Sequence, residues 1–334
     1  MKQRTQEILA DRAKTIPILS FPSTQLLGIT VRELISDSEN QARGMEAIVK
    51  RCPVAASLSM MDLSVEAEAF GAEITISEHE NPTVRHGILE SEADIAAMQV
   101  PEVGAGRTGI YVEGVRLAKA RMPGTPVFCG VIGPYSLAGR LFDMGKLMLA
   151  CYDEPEQIHA LLQKCADFSI RYIKAFQTAG ADGVILAEPA AGLLSPDLCE
   201  EFSSAYVKQI RAETAAEDFV FVYHNCGNTI PLAESLLGMD ADIYHLGNAI
   251  ELDKILPLFP EDKPVMGNLN PLLFRTATPA EIQREVLGIL ARCSPYPRFR
   301  LSTGCDIPAD ANWENLDAYF QTLRGFYKKE SEDF

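Results

Sequence analysis

The stretch VYHNCGNT (222–229) ends an apolar run with a histidine and a cysteine two positions apart, and a second cysteine, Cys305, follows the run FRLSTG (299–304). His224, Cys226 and Cys305 together make a soft donor set of two sulfurs and one nitrogen, which favours zinc over magnesium, calcium or manganese. A zinc ion that does chemistry takes three protein ligands and keeps a fourth position for water or substrate. Alternate side chains of an extended strand share a face, so His224 and Cys226 can reach one ion if the backbone stays extended past Tyr223. The competing reading is structural, with two small buried thiols and a hydrogen-bonded core histidine. A structural zinc finger is disfavoured because the chain has no C-x-x-C pair.

Other reactive or polar residues also stand where apolar runs end. Asp62 follows Met60-Met61, and Glu188 follows Ile185-Leu186-Ala187 and precedes a proline. Both are candidate catalytic carboxylates. Glu188 could serve as a general base or a labile fourth ligand, and its alternative is a hydrogen-bonded loop anchor. Glu66, one helical turn past Asp62, reads as favourable charge at a helix start. Tyr135, Asn248 and Asn268 are candidate substrate-binding residues, and His245 reads as a core or supporting histidine. The segment VGAGRTG (103–109) has the G-x-G-x-x-G spacing of a dinucleotide loop but follows no clear strand. A helix-start loop is the simpler account.

These residues need a scaffold that gathers the ends of many strands. Eight short apolar, β-branched runs recur along the chain, at 16–21, 55–63, 126–133, 183–188, 219–224, 242–247, 264–269 and 299–304. Between them lie stretches of helical period, such as residues 154–180 and the Ser-Pro-initiated 195–215. A βα unit repeated eight times predicts an α/β fold of the (β/α)8 TIM barrel type, with reactive groups at the C-terminal strand ends. An open, doubly wound sheet has the same periodicity. No low-complexity tract or linker divides the chain, so a single domain over 1–334 is expected, with an N-terminal helical elaboration within about residues 1–105.

Bulk properties narrow the partners. The 334 residues are 47% hydrophobic, enough for a large core, and 46 acidic against 30 basic side chains give a net charge of -16. That sign argues against nucleic acid. No stretch approaches the roughly 20 apolar residues that span a bilayer, and the start, MKQRTQEILADRAK, lacks an apolar signal core, so no membrane partner and a cytoplasmic location are expected. Eight scattered cysteines fit reduced thiols better than a disulfide framework.

The chain resembles the uroporphyrinogen decarboxylase superfamily, and within it the branch of methylcobalamin:coenzyme M methyltransferases and related corrinoid-dependent methyltransferases. The resemblance runs over nearly the whole chain. It is carried by MDLSVEAEAFG (61–71), GPYSLAGRL (133–141), ILAEPAAGLLSP (185–196), YHNCGNT (223–229), HLGNAI (245–250), MGNLNP (266–271) and STGCDIP (302–308). It implies a barrel whose Zn2+ is held by His224, Cys226 and Cys305, with an acceptor thiol in the open position. Coordination deprotonates a thiol whose free pKa is about 8.5, and the thiolate then takes the methyl group from methylcobalamin.

The decarboxylase branch shares GPYSLA and most of MGNLNP, but its R-Q-A-G-R segment has no counterpart here, and Asn270 stands where it carries Asp. No histidine has Asp two positions before it, so the D-x-H-x-x-G signature of a corrinoid-binding module is missing. The expected partners are therefore a separate methylcobalamin-carrying corrinoid protein and a small methyl acceptor. That acceptor would be coenzyme M, another thiol or tetrahydrofolate. Two alternatives stand beside this reading: a metal-independent decarboxylase, and a non-catalytic corrinoid-binding barrel.

Overall fold

Successive side chains of each apolar run point to opposite faces of one sheet in the computed structural model, which describes residues 1–332, with side chains through Lys328. One set, including Leu58, Phe128, Ile185, Val220, Val222, Ile243 and Met266, forms a small inner core. The other, including Val127, Leu186, Phe221, Tyr223, Tyr244 and Leu301, joins the helices in a much larger outer core. Each such side chain contributes about 1.5–3 kcal/mol by leaving water, so the strand register is set from both faces.

The sheet has seven parallel strands in sequential order. They are β1 (Ser57–Leu58), β2 (Val127–Ile132), β3 (Gly183–Ala187), β4 (Val220–Asn225), β5 (Ile243–Leu246), β6 (Val265–Leu269) and β7 (Phe299–Thr303). The sheet curls around the inner core. Helices cover its outer face, among them α1 (Thr108–Arg121), α2 (Pro134–Phe142), α3 (Pro155–Thr178) and α4 (Pro279–Cys293). The periodicity of 154–180 becomes α3, which opens on Pro155. That of 195–215 is broken by a π-helical turn over Glu200–Ser204.

The expectation of eight strands is corrected at its first member. Residues 16–21 form no strand, although they lie between the two edge strands. Pro17 has no N–H to give a ladder. The segment is instead held at one edge by Ala55 N–H to Thr15 O (2.7 Å), and at the other by Ser302 Oγ to Ile16 O (2.9 Å) and Ile18 N–H to Thr303 Oγ1 (3.2 Å). Side-chain hydroxyls thus replace part of a main-chain ladder.

The N-terminal region supplies helices at Ser23–Leu27, Val31–Ile35 and Ser38–Arg51, and also a small antiparallel hairpin (Ile74–Thr75 with Thr83–Val84). Among the described residues, no helix is long and apolar enough to cross a membrane.

Candidate metal centre

β4 carries Val220, Val222 and His224 on its inner face, so the histidine stands at the C-terminal rim directly above the inner core. The chain then turns at buried Asn225. Its amide donates to Glu188 O (2.8 Å), and its Oδ1 accepts from Gly227 N–H (2.8 Å), which fixes the turn that carries Cys226. Gly247, after β5, crosses so close that a Cβ there would lie 2.3 Å from Cys226 Cα. Cys305 leaves the end of β7 two residues after Thr303. The donor atoms of His224, Cys226 and Cys305 lie within 4.8 Å of one another, so the topology brings together the three residues that the sequence singles out.

The hydrogen-bond directions assign the histidine tautomer. Ser302 spends its one hydroxyl proton on Ile16 O, so its oxygen accepts from His245 Nε2 (2.8 Å). Burial, reinforced by the nearby His224, holds His245 far below the usual histidine range and keeps it neutral, which leaves a lone pair on its Nδ1. His224 Nδ1 must then be the donor, shared between His245 Nδ1 (2.9 Å) and His245 O (3.1 Å). In neutral His224 the lone pair therefore sits on Nε2, an atom that is buried and has no partner. An orphaned acceptor beside two sulfurs is what a metal ligand looks like before the metal.

The sulfurs share a proton. The Cys305 thiol, hydrogen-bonded to Cys226, lowers Cys226 from the ordinary 9.0 to about 4 against the opposing effect of burial, and His224 adds to the lowering. Cys305 itself is pushed well above the ordinary range, first by that bond and then by burial. The donor set fits zinc: two sulfurs and an imidazole nitrogen converge, and Cys226 is biased toward the thiolate form that a metal requires.

A cavity of about 180 Å³ opens on these donors and is also lined by Asp62, Arg140 and Asp306. Asp62 lies fully inside a cage of donors: it is paired with Arg107 and accepts from Tyr111 Oη (2.7 Å) and Ser64 N–H (3.0 Å). Arg107 also binds Glu68 (2.6 Å). Asp306 accepts from Asn81 (2.8 Å) and leaves Oδ1 buried without a partner, and burial pushes it well above the carboxylate range.

The other proposed site residues do not line this cavity. Glu188 is buried and turns both oxygens to the first turn of α2, accepting from Tyr135 N–H (3.2 Å) and Ser136 N–H (2.5 Å). Burial raises it to about 7, against the lowering by those bonds. Tyr135 is buried, with its hydroxyl unpartnered. Asn268 donates to Gly247 O (3.0 Å) and Ile250 O (2.7 Å), pinning the loop after β5, and exposed Asn248 packs against Gly304 in that loop. The glycine segment 103–109 is a turn that starts α1 and delivers Arg107 to Asp62.

Residues 19–326 match the family described as uroporphyrinogen decarboxylase (URO-D). The chain belongs to the URO-D family. Its curated relatives include a uroporphyrinogen decarboxylase of Coxiella burnetii, 25% identical with 85% of this chain and 81% of that one covered. They also include the Methylcobamide:CoM methyltransferase MtbA of Methanosarcina mazei, 28% identical with 88% and 86% covered. Among solved structures, a methyltransferase from Methanosarcina mazei superposes with a TM-score of 0.87 over 98% of both chains at 21% identity, which establishes a shared fold.

Within this URO-D chain, sequence reasoning missed Arg107, Arg140 and the role of the His245–Ser302 pair. Arg140 left a signal: PYSLAGRLF, the helix α2, is buried at every position but that one. A lone arginine in an otherwise buried helix calls for a charged or polar purpose. His245 is placed directly beside His224 by the β4–β5 register, which the sequence does not reveal.

Proposed function

We propose that this protein is a zinc-dependent methyltransferase that moves a methyl group from a methylated corrinoid, carried by a separate protein, to a small thiol acceptor. The observation that carries the reading is the convergence of Cys226, Cys305 and the unpartnered, buried Nε2 of His224 at the wall of one cavity. Bound there, zinc would supply the Lewis acidity that keeps an acceptor thiol ionised at neutral pH.

The chain's own residues do the rest. His224, Cys226 and Cys305 hold the ion, and two anionic sulfurs would keep the acceptor electron-rich, whereas a three-histidine site is more Lewis acidic. The Ile16–Ser302–His245 chain fixes the tautomer of His224. Asp62, neutralised by Arg107, and Asp306 shape the cavity wall. A cavity of about 180 Å³ suits an acceptor of few heavy atoms and is small beside the roughly 300–1,000 Å³ of ordinary ligand pockets. The MtbA relatives, whose name specifies a methylcobamide and CoM, support the same reaction class.

Metal analysis of purified wild type beside Cys305→Ala tests the reading, with thiol methylation from methylcobalamin as the companion assay. One zinc per wild-type chain and its loss in the variant are expected. Equal zinc in both proteins, or none in either, would sink it.

A further inference from the structure

Of the eight cysteines, six are buried: Cys52, Cys129, Cys151, Cys165, Cys199 and Cys293. Burial pushes each of those six thiols above the ordinary range, so that little thiolate forms and they are chemically quiet. Cys226 and Cys305 are the two that are only partly buried. Both line the cavity of about 180 Å³, which shares Arg140 and Pro189 with the wider recess outside. A molecule of a few heavy atoms can therefore reach both sulfurs from solvent.

The two sulfurs also reach each other. The Cys305 thiol is hydrogen-bonded to Cys226, and both sulfurs belong to the donor cluster spanning 4.8 Å. Their main chains are neighbours as well: a Cβ on Gly247 would lie 2.3 Å from Cys226 Cα and 2.8 Å from Gly304 O. A disulfide requires main chains brought this near. The closeness that suits the sulfurs to one ion suits them equally to one covalent bond.

We propose that Cys226 and Cys305 are a reversible oxidation site for hydroperoxides, closing to a single disulfide that gives up the metal. One sulfur attacks the O–O bond: an S–O bond forms, the O–O bond breaks, and the departing oxygen takes up a proton to leave as water or alcohol. The second sulfur then attacks the first. An S–S bond forms, the S–O bond breaks, and the hydroxyl leaves as water with the proton of the second thiol. The sulfurs lose two electrons, one each, and the hydroperoxide gains them. A disulfide offers no thiolate, so His224 would remain as the one intact donor, fewer than the three that an open zinc site uses. A dithiol reverses the step by exchange and is itself oxidised to a disulfide. The linkage rests on the two sulfurs alone, whereas the release of zinc rests on the metal reading.

The test treats zinc-supplemented and metal-stripped wild type with hydrogen peroxide and follows both by non-reducing peptide mapping, while a chromophoric chelator reports zinc. One linkage, Cys226 to Cys305, is expected in both preparations, with the six other thiols still free to be alkylated after unfolding. One zinc should be freed for each linkage formed, and dithiothreitol should restore both thiols and zinc binding. Cys305→Ser leaves Cys226 without its partner and should yield only oxygen acids of Cys226; the wild-type map decides the matter by itself if that variant does not fold. Oxygen acids at either sulfur of the wild type without a linkage, linkages scattered over other cysteines, or two thiols that survive the oxidant overturn the pair. A linkage in protein that never holds zinc upholds the pair and overturns the metal reading, and zinc held throughout without any linkage does the reverse.

Discussion

At the scale of single residues, the site is decided by where two protons sit. The Ser302–His245–His224 chain leaves His224 Nε2 as the acceptor that faces the sulfurs, and each link depends on the one before it. Ser302→Ala removes the acceptor of His245 Nε2–H, and His245 is then free to present the wrong nitrogen to His224. Loss of such a supporting partner weakens metal binding by about 10–100-fold. Competition with a chromophoric zinc chelator measures this directly, and an unchanged affinity in Ser302→Ala rules out the relay. The second proton lies between Cys226 and Cys305. A free thiol loses thiolate tenfold for each pH unit below its pKa, but Cys226 is held down to about 4. In metal-stripped protein, alkylation of Cys226 by iodoacetamide should stay nearly level from pH 8 to pH 5. Cys305→Ala removes the largest cause of the lowering and should restore a falling profile. A tenfold drop per unit in the wild type, read by mass spectrometry, contradicts the shared proton.

At the scale of elements, the loop after β3 and the helix α2 act together. Glu188 accepts two N–H groups of the first turn of α2 that no helical carbonyl can reach. Glu188→Ala orphans both donors in a buried place, at about 1–3 kcal/mol for each. The expected result is lower stability in urea together with retained zinc content, since Glu188 is not among the clustered donors. Loss of zinc with stability preserved would instead return Glu188 to the role of a ligand. Seven of the strands were legible in the sequence because apolar, β-branched runs bounded by turn residues mark buried parallel strands. The segment 16–21 has the same composition, but its pairing is decided by Pro17 and by hydroxyls contributed from β7, far along the chain. The donors His224, Cys226 and Cys305 were legible because strand-end position and residue type sufficed. The reach of Arg107 to Asp62 and the His245 contact depend on which elements pack together, and no local pattern carries that.

At the scale of the whole molecule, the candidate centre ties distant parts of the chain. His224 and Cys226 belong to the end of β4 and Cys305 to the end of β7, with β5 and β6 between them in the sheet. An ion held by all three would bind only when β4 through β7 have assembled in register, so its binding free energy adds to that of folding. With free zinc at 100 times its dissociation constant, the gain is about 2.7 kcal/mol. For a chain of 334 residues the unfolding entropy per residue converts this to a rise in Tm of about 4 °C. Scanning calorimetry of chelator-treated protein, before and after zinc is restored, should show that rise in the wild type. Cys305→Ala should show little of it at the same zinc concentration. A similar response in both proteins would mean that zinc acts elsewhere on this acidic surface, and a flat response in the wild type would mean that the three donors do not act as one site.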